Sequence, residues 1–250
     1  MLSVVIITFN EEENVGRCLE SIKDIADEII VVDSFSKDET KSICQQFNVR
    51  FIEQPFLGYI EQKNFAFKLA THNYILSLDA DEALSSALLL KIKEEKEKGF
   101  PSDAYEMNRR NNFFGKWMKY GVLYPDKKVR LVNKNIAFWG GRNPHDKLVL
   151  KKNVLVKRLK TDIIHYSFRS KEDHFKKIEK YSSLGAESLF VSGEKYYILK
   201  MMFSPIWRFI KSYIYKLGFL DGWQGLMFSY YSAKESYLKY SKFRKMLRVT

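Results

Sequence analysis

Asp79 and Asp81 stand two residues apart at the end of the apolar run Tyr74-Ile75-Leu76-Ser77-Leu78. Like charges this close repel unless a cation sits between or beside them. Paired carboxylates at a strand end suit a hard divalent ion with oxygen ligands. Such an ion can bind the two phosphates of a nucleotide diphosphate and neutralise it as a leaving group. The competing reading, helix capping and first-turn acids, accounts for Glu12, Asp38 and Ser85 but poorly for Asp79 and Asp81. Two other apolar runs deliver polar groups in the same way, one ending at Thr8-Phe9-Asn10-Glu11 and the other at Asp33-Ser34. Lys63 is open to two readings, a further phosphate contact or a solvated helix lysine. Neither G-x-G-x-x-G nor G-x-x-x-x-G-K-[ST] occurs, which disfavours a dinucleotide fold and a P-loop.

The elements that must carry these residues alternate between two periods. Strands are expected at 3–8, 28–33, 49–53 and 73–79, and helices at 12–23, 37–47, 58–70 and 85–98. Continuous apolar strands alternating with helices predict a parallel sheet covered on both faces, and ligands of such sheets bind beyond the carboxyl ends of the strands. From Phe100 the pattern changes to short strand-like pieces at 104–109, 128–133, 136–139, 148–150, 154–156 and 161–166, separated by Gly, Pro and Asn. Helical periodicity resumes at 171–191 and continues to the C-terminus, with a break expected near Ser204-Pro205. The expected division is 1–99, 100–192 and 193–250.

Four segments in order carry a resemblance: Val5-Ile6-Ile7-Thr8-Phe9-Asn10-Glu11-Glu12, Val31-Val32-Asp33-Ser34-Phe35-Ser36-Lys37-Asp38-Glu39-Thr40, Gln62-Lys63-Asn64 and Leu76-Ser77-Leu78-Asp79-Ala80-Asp81-Glu82. Together they resemble the nucleotide-binding half of family 2 glycosyltransferases, which are inverting, metal-dependent enzymes of the GT-A fold. The resemblance implies an α/β, Rossmann-like, mostly parallel sheet with helices on both faces, followed here by a basic helical C-terminal extension. It implies that Thr8, Asn10, Glu11 and Asp33 line the base and ribose pocket. Asp79 would approach the ribose or diphosphate, and Asp81 would hold Mg²⁺ or Mn²⁺. Ser34 stands where many members carry a second acid.

Further along, 124–131, Trp139-Gly140-Gly141-Arg142-Asn143-Pro144-His145-Asp146 and His165-Tyr166-Ser167-Phe168-Arg169-Ser170 resemble a subgroup that includes lipopolysaccharide-core β-1,4-glucosyltransferases. That subgroup usually shows His-Glu where this chain has His145-Asp146. An inverting transfer needs one general base to take the acceptor proton and no second, covalent carboxylate. Asp146 is the expected base, its alternative being a turn aspartate after Asn143-Pro144. His145 would orient the loop or donate to substrate. His165 is either a structural hydrogen-bonder or, as in other GT-A enzymes, a metal ligand. Arg130 and Arg142 read as diphosphate or acceptor contacts, or as solvated strand arginines, and His72 and His174 as surface residues.

Charged residues at 29% and hydrophobic residues at 46% exclude a disordered chain. Cys18 and Cys44 are too few for a disulfide framework. The short apolar N-terminal run lacks a basic leader, so the cytoplasm is expected. The net charge of +12 points to a polyanionic partner. Beyond residue 194, 11 Lys and Arg face only Asp221 and Glu235 in an aromatic-rich segment. Basic, aromatic and amphipathic is the composition of a helix lying in a membrane interface; the alternative is a helix pair covering the catalytic domain or a partner subunit. The expected partners are therefore a nucleotide-sugar donor, a glycolipid acceptor and the anionic inner face of the membrane. The expected activity is transfer of a hexose, glucose by the resemblance, from a UDP-sugar to a lipid-linked or lipopolysaccharide-core glycan. A sugar nucleotidyltransferase needs a Gly-rich basic loop where this chain has Asn10-Glu11-Glu12-Glu13. A nucleic-acid-binding module using the basic tail leaves the strand-end acids unexplained.

Overall fold

The computed structural model describes residues 1–142, 145–167, 171–195 and 197–249, with the side chains of Arg142, His145, Lys171, Asp173 and Val249 outside the description. The chain divides into two compact units: residues 1–109 with 127–166, and residues 110–126 with 167–250.

In the first unit β1 (Leu2–Thr8), β2 (Glu28–Asp33), β3 (Arg50–Glu53) and β4 (Tyr74–Asp79) run parallel in the order β3-β2-β1-β4. Alternation along β1 sends Leu2, Val4 and Ile6 into one apolar cluster and Val5 into another on the opposite face. Helices α1 (Val15–Glu20) and α4 (Ser86–Glu97) supply Val15, Leu19, Leu88 and Ile92 to the first cluster. Helix α3 (Tyr59–Leu69) supplies Ala66 and Phe67 to the second. Helix α2 (Thr40–Cys44) joins β2 to β3. Both cysteines are free and buried, and burial pushes the Cys44 thiol up to about 12.

The sheet then continues through β8 (Asp126–Asn133), β6 (Ala104–Phe113), β11 (Val156–His165) and the short β5 (Glu82–Leu84). Strand β8 pairs antiparallel with β4, and β5 antiparallel with β11. The parallel pairing thus runs through β3, β2, β1 and β4, which crossover helices join, and ends at β4, where β8 adds antiparallel. Strands β9 (Ala137–Arg142) and β10 (His145–Leu150) form a separate antiparallel hairpin. The expected piece at 154–156 is strand only from Val156, where β11 begins and runs unbroken into the expected 161–166 piece, and β5 had no separate signal in the sequence.

Helices α1 and α2 start later than their apolar periodicity suggests. Their entry residues bond across the two loops instead: Glu11 N to Thr40 Oγ1 at 2.8 Å, Glu12 N to Asp38 Oδ2 at 3.1 Å and Glu39 N to Glu12 Oε2 at 2.9 Å. Side-chain acceptors here replace the helix's own first turn. Ser85 caps α4, accepting from Leu88 N at 3.2 Å.

The second unit holds the end of β6, β7 (Lys116–Trp117), α5 (Lys171–Val191), α6 (Tyr197–Ile210) and α7 (Gly222–Val249). Its apolar cluster joins Phe113 and Met118 to Ile178 of α5 and Tyr231 of α7. The buried Asp221 carboxylate accepts from Lys119 N and Tyr120 N at 3.0 and 2.8 Å. Where Gly218 and Gly225 meet, a β-carbon on Gly225 would lie 1.8 Å from the Gly218 carbonyl oxygen, so no larger residue fits. The expected break at Ser204-Pro205 is not present: α6 runs through Pro205, which forfeits a single intrahelical bond. The interruption comes later, in a π-type turn at Lys211–Tyr215 and a left-handed Leu217.

His174, expected at the surface, is buried among Phe113, Phe114 and Tyr231, with ring centroids at 5.3, 5.9 and 5.0 Å. Burial, with a smaller contribution from Lys177, lowers its pKa to about 4. Between pH 6.5 and 4 the unfolded chain therefore binds a proton that the folded chain refuses, and stability falls as pH falls. Urea denaturation followed by circular dichroism should show up to about 3 kcal/mol of loss from this source, absent in His174→Phe. An unchanged pH profile in that variant would remove His174 as the cause.

Candidate active site

Register places the strand-end residues side by side. Thr8 lies opposite Asp33, Ile7 opposite Asp79, and Asp33 opposite Glu53. Thr8 and Asp33 are buried. The Thr8 hydroxyl has no hydrogen-bond partner among the described residues. Asp33 closes its own turn by accepting from Ser36 N at 2.7 Å and from Ser36 Oγ. Asn10, at φ 52°, donates its N–H to Ser36 Oγ at 2.8 Å and accepts at Oδ1 from Lys37 N at 2.9 Å. Glu11 accepts from Asn14 Nδ2 at 2.8 Å. The loops after β1 and β2 are thus laced into one rim.

Lys63 faces inward from α3 and is buried, so it is not a solvated helix lysine. Its Nζ lies 2.9 Å from Asp79 Oδ1 and 2.8 Å from Asp146 Oδ2, and 4.4 Å from the centroid of Trp139. The neighbouring motif residues hold the same junction. Gln62 Nε2 donates to Ser34 Oγ at 3.1 Å, so the serine at the departure from the usual acid anchors the β2 loop to α3. Asn64 clamps the hairpin by donating to Trp139 O at 2.8 Å and accepting from Trp139 N at 2.9 Å.

The other oxygen of Asp79 meets Arg130 at 3.1 Å, and Arg130 reaches Glu82 at 2.7 Å. Glu82, wholly buried, also accepts from Arg109 at 3.3 Å and from Asp79 N at 3.1 Å. Burial opposes the charge of Asp79, but Lys63 and Arg130 outweigh it and hold its carboxyl well below the usual range. Burial likewise opposes the charge on Arg130, and Glu82 and Asp79 overcome it and raise its pKa. Asp146, Lys63, Asp79, Arg130, Glu82 and Arg109 form a chain of alternating charge. Arg130 is thus no solvated strand residue. Burial first, and then Glu82, Asp81 and Asp79, raise the Cys18 thiol and keep it neutral.

Asp81 lies beyond that chain. The β5–β11 pairing sets His165 opposite Glu82 and Tyr166 N bonds Asp81 O at 2.9 Å, bringing His165 Nε2 to 3.1 Å from Asp81 Oδ2. Seven of the nine residues named as donor contacts, base or metal ligands on sequence grounds, Thr8, Asp33, Lys63, Asp79, Asp81, Asp146 and His165, therefore lie in the strand-end region, and the other two, Asn10 and Glu11, form its rim. Sequence reasoning missed Glu82, Arg109 and Trp139 as members. The only available signals were the third acid after Asp79-Ala80-Asp81 and the aromatic at the head of the Gly140-Gly141 hairpin. Asn143-Pro144 and Phe168-Arg169-Ser170 lie outside the described residues, as do the side chains of Arg142 and His145.

Residues 3–147 match the profile described as Glycosyl transferase family 2. The chain belongs to that family. An uncharacterized glycosyltransferase of Rickettsia felis is 34% identical over 98% of this chain and 90% of its own length. One from Rickettsia typhi is 32% identical over 98% and 87%. The lipopolysaccharide core biosynthesis glycosyltransferase LpsC of Rhizobium meliloti is 26% identical over 96% and 93%. The crystal structure of S. aureus TarS residues 1–349 superposes with a TM-score of 0.50 at 16% identity, covering 98% of this chain and 91% of that one. That likeness gives the GT-A fold. This family 2 protein is a glycosyltransferase related to a lipopolysaccharide-core enzyme.

Removing the ammonium of Lys63 leaves two carboxylates facing each other. Lys63→Met should cost about 3 kcal/mol at pH 7, the scale for breaking one side of a buried pair, measured by urea denaturation. A loss under about 1 kcal/mol, the scale of an exposed pair, would show that water screens the junction in solution.

Proposed function

We propose that the enzyme transfers a hexose, glucose first among candidates, from a UDP-sugar to a hydroxyl of a lipid-linked or lipopolysaccharide-core glycan, with inversion at the anomeric carbon. The observation that carries this reading is the ordered strand-end array: an orphan buried hydroxyl at Thr8, a buried Asp33 one strand away, and the Asp79, Asp81, His165 and Asp146 side chains beyond them.

Asp81 and His165 fit a divalent metal. Their Oδ2 and Nε2 atoms stand 3.1 Å apart, and the two would hold a divalent ion together, the carboxylate suiting Mg²⁺ or Mn²⁺ and the imidazole favouring the transition metal Mn²⁺ of the two. Such an ion would neutralise charge on the departing diphosphate. The protein's own work is positional. Thr8 and Asp33 offer a hydroxyl and a carboxylate to the base and ribose. Asp79, fixed from both sides by Lys63 and Arg130, bounds the sugar and diphosphate. Asp146, whose Oδ2 is held by Lys63, takes the proton from the acceptor hydroxyl as that oxygen attacks.

Kinship with LpsC supports a glycan acceptor of the lipopolysaccharide-core type. No helix among the described residues is long and apolar enough to cross a membrane, and we place the enzyme in peripheral contact with the inner membrane face, where a lipid-linked acceptor is presented.

Calorimetric titration of UDP with and without Mn²⁺ tests the donor site. Binding should require the metal and be lost in Asp81→Ala; retained metal dependence in that variant would remove Asp81 as a ligand. In Asp146→Asn, UDP binding should persist while turnover falls by on the order of 10²- to 10⁴-fold, and unchanged turnover would assign the base elsewhere.

A further inference from the structure

Helix α6 leaves a broad apolar surface exposed. All its residues except Lys200, Ser204 and Arg208 are apolar or aromatic, yet none is fully buried. Those three recur every four residues and so share one stripe. Arg208 reaches α7, donating to Ser232 O and pairing with Glu235 at 3.2 Å, while Lys200 pairs with Glu194 ahead of the helix. Around the rest of the helix Ile198, Leu199, Met202, Phe203, Ile206 and Trp207 are each between 53% and 61% exposed. A helix packing on its own domain in the ordinary way turns the apolar stripe inward.

The exposed surface continues past the helix. Ile214, Tyr215, Phe219 and Trp223 are about half exposed or more, and the Trp207 and Tyr215 rings sit 5.6 Å apart. Lys195, Lys200, Arg208, Lys211 and Lys216 punctuate this segment, and no Asp or Glu occurs between residues 195 and 220. By contrast α7, which the sequence groups with α6 as one basic aromatic tail, turns Tyr231, Tyr240 and Phe243 into the protein and spends Lys242 on Glu179, Ser182 and Ser183 of α5. The two halves of the tail do different things.

We propose that α6 and the turn after it form a bilayer-docking surface: Phe203, Ile206, Trp207 and their neighbours enter the headgroup–acyl boundary of an anionic phospholipid membrane, with the flanking lysines on its phosphates. The charge decides the occupant. An apolar face flanked by Lys195, Lys211 and Lys216, none of which has an acidic partner among the described residues, matches an anionic lipid surface, whereas a second copy of this chain would bring the same positive charge against itself. Aromatic rings at the rim suit the interfacial zone, where one edge stays wet. The inference deepens the proposed function, resting on it only for the idea that the acceptor is membrane-borne; the surface itself is read from α6 alone.

The test is co-sedimentation of the full chain with vesicles of phosphatidylglycerol and phosphatidylethanolamine, against vesicles of phosphatidylcholine, with Phe203→Glu/Trp207→Glu as the variant. Wild type should bind the anionic vesicles, less so at high salt, and the double variant should bind at least about tenfold more weakly while keeping its circular dichroism spectrum and UDP titration. Absence of wild-type binding, equal binding to both vesicle types, or undiminished binding by the variant would overturn the proposal. So would a wild-type dimer in light scattering that the variant dissociates without any vesicle binding. Failed UDP binding alongside intact vesicle binding would sink the donor reading and leave the docking surface standing.

Discussion

The Lys63 ammonium is the contact on which the strand-end architecture depends. Buried between Asp79 and Asp146 and stacked over Trp139, it bridges β4, from the parallel half of the sheet, and the β9–β10 hairpin, which has no sheet hydrogen bonds to that half. A lysine suits this place because a compact charge with three donors can address acids from two directions. Burying the charge is unfavourable alone, and the two carboxylates together offset the cost. Arg130 repeats the device on the far side of Asp79, tying β8 to the buried Glu82. The chain of alternating charge from Asp146 to Arg109 therefore links four sheet strands and the hairpin through side chains, in addition to the β4–β8 ladder.

A consequence is a division of labour among neighbouring acids. Asp79 and Glu82 are committed to internal cations. Asp81, in the turn between β4 and β5, meets His165, and Tyr166 N holds its carbonyl at 2.9 Å. The charge pattern Asp-x-Asp-Glu is thus one carboxylate for the outside flanked by two for the frame. Similar economy holds at the rim, where Glu11, Glu12 and Asp38, a dense acidic cluster in the sequence, are consumed by backbone N–H groups and side-chain donors of the two loops.

Much of the first unit was legible in the chain. The four parallel strands, their helices and the convergence of Thr8, Asp33 and Asp79 at one edge follow from apolar runs that end in polar residues. What periodicity missed was set by partners far away in sequence. The three-residue β5 has too little pattern to announce itself and exists because β11 pairs with it. Helices α1 and α2 start late because each loop's side chains capture the other's N–H groups. His174 carries no local sign of burial; aromatics from β6 and α7 enclose it.

The tail makes the same distinction most sharply. Composition and periodicity alone determined that residues after 194 are basic, aromatic and helical, and local motifs alone pointed to the family, because these depend on residue type and short-range spacing. Which aromatic turns inward was decided only by tertiary packing: Tyr231 and Phe243 find partners in the second unit, whereas Phe203 and Trp207 of α6 stay more than half exposed. Equally, Lys63 as a buried bridge could not be read from its helix, because its two carboxylates lie 16 and 83 residues away and only folding brings them to one atom.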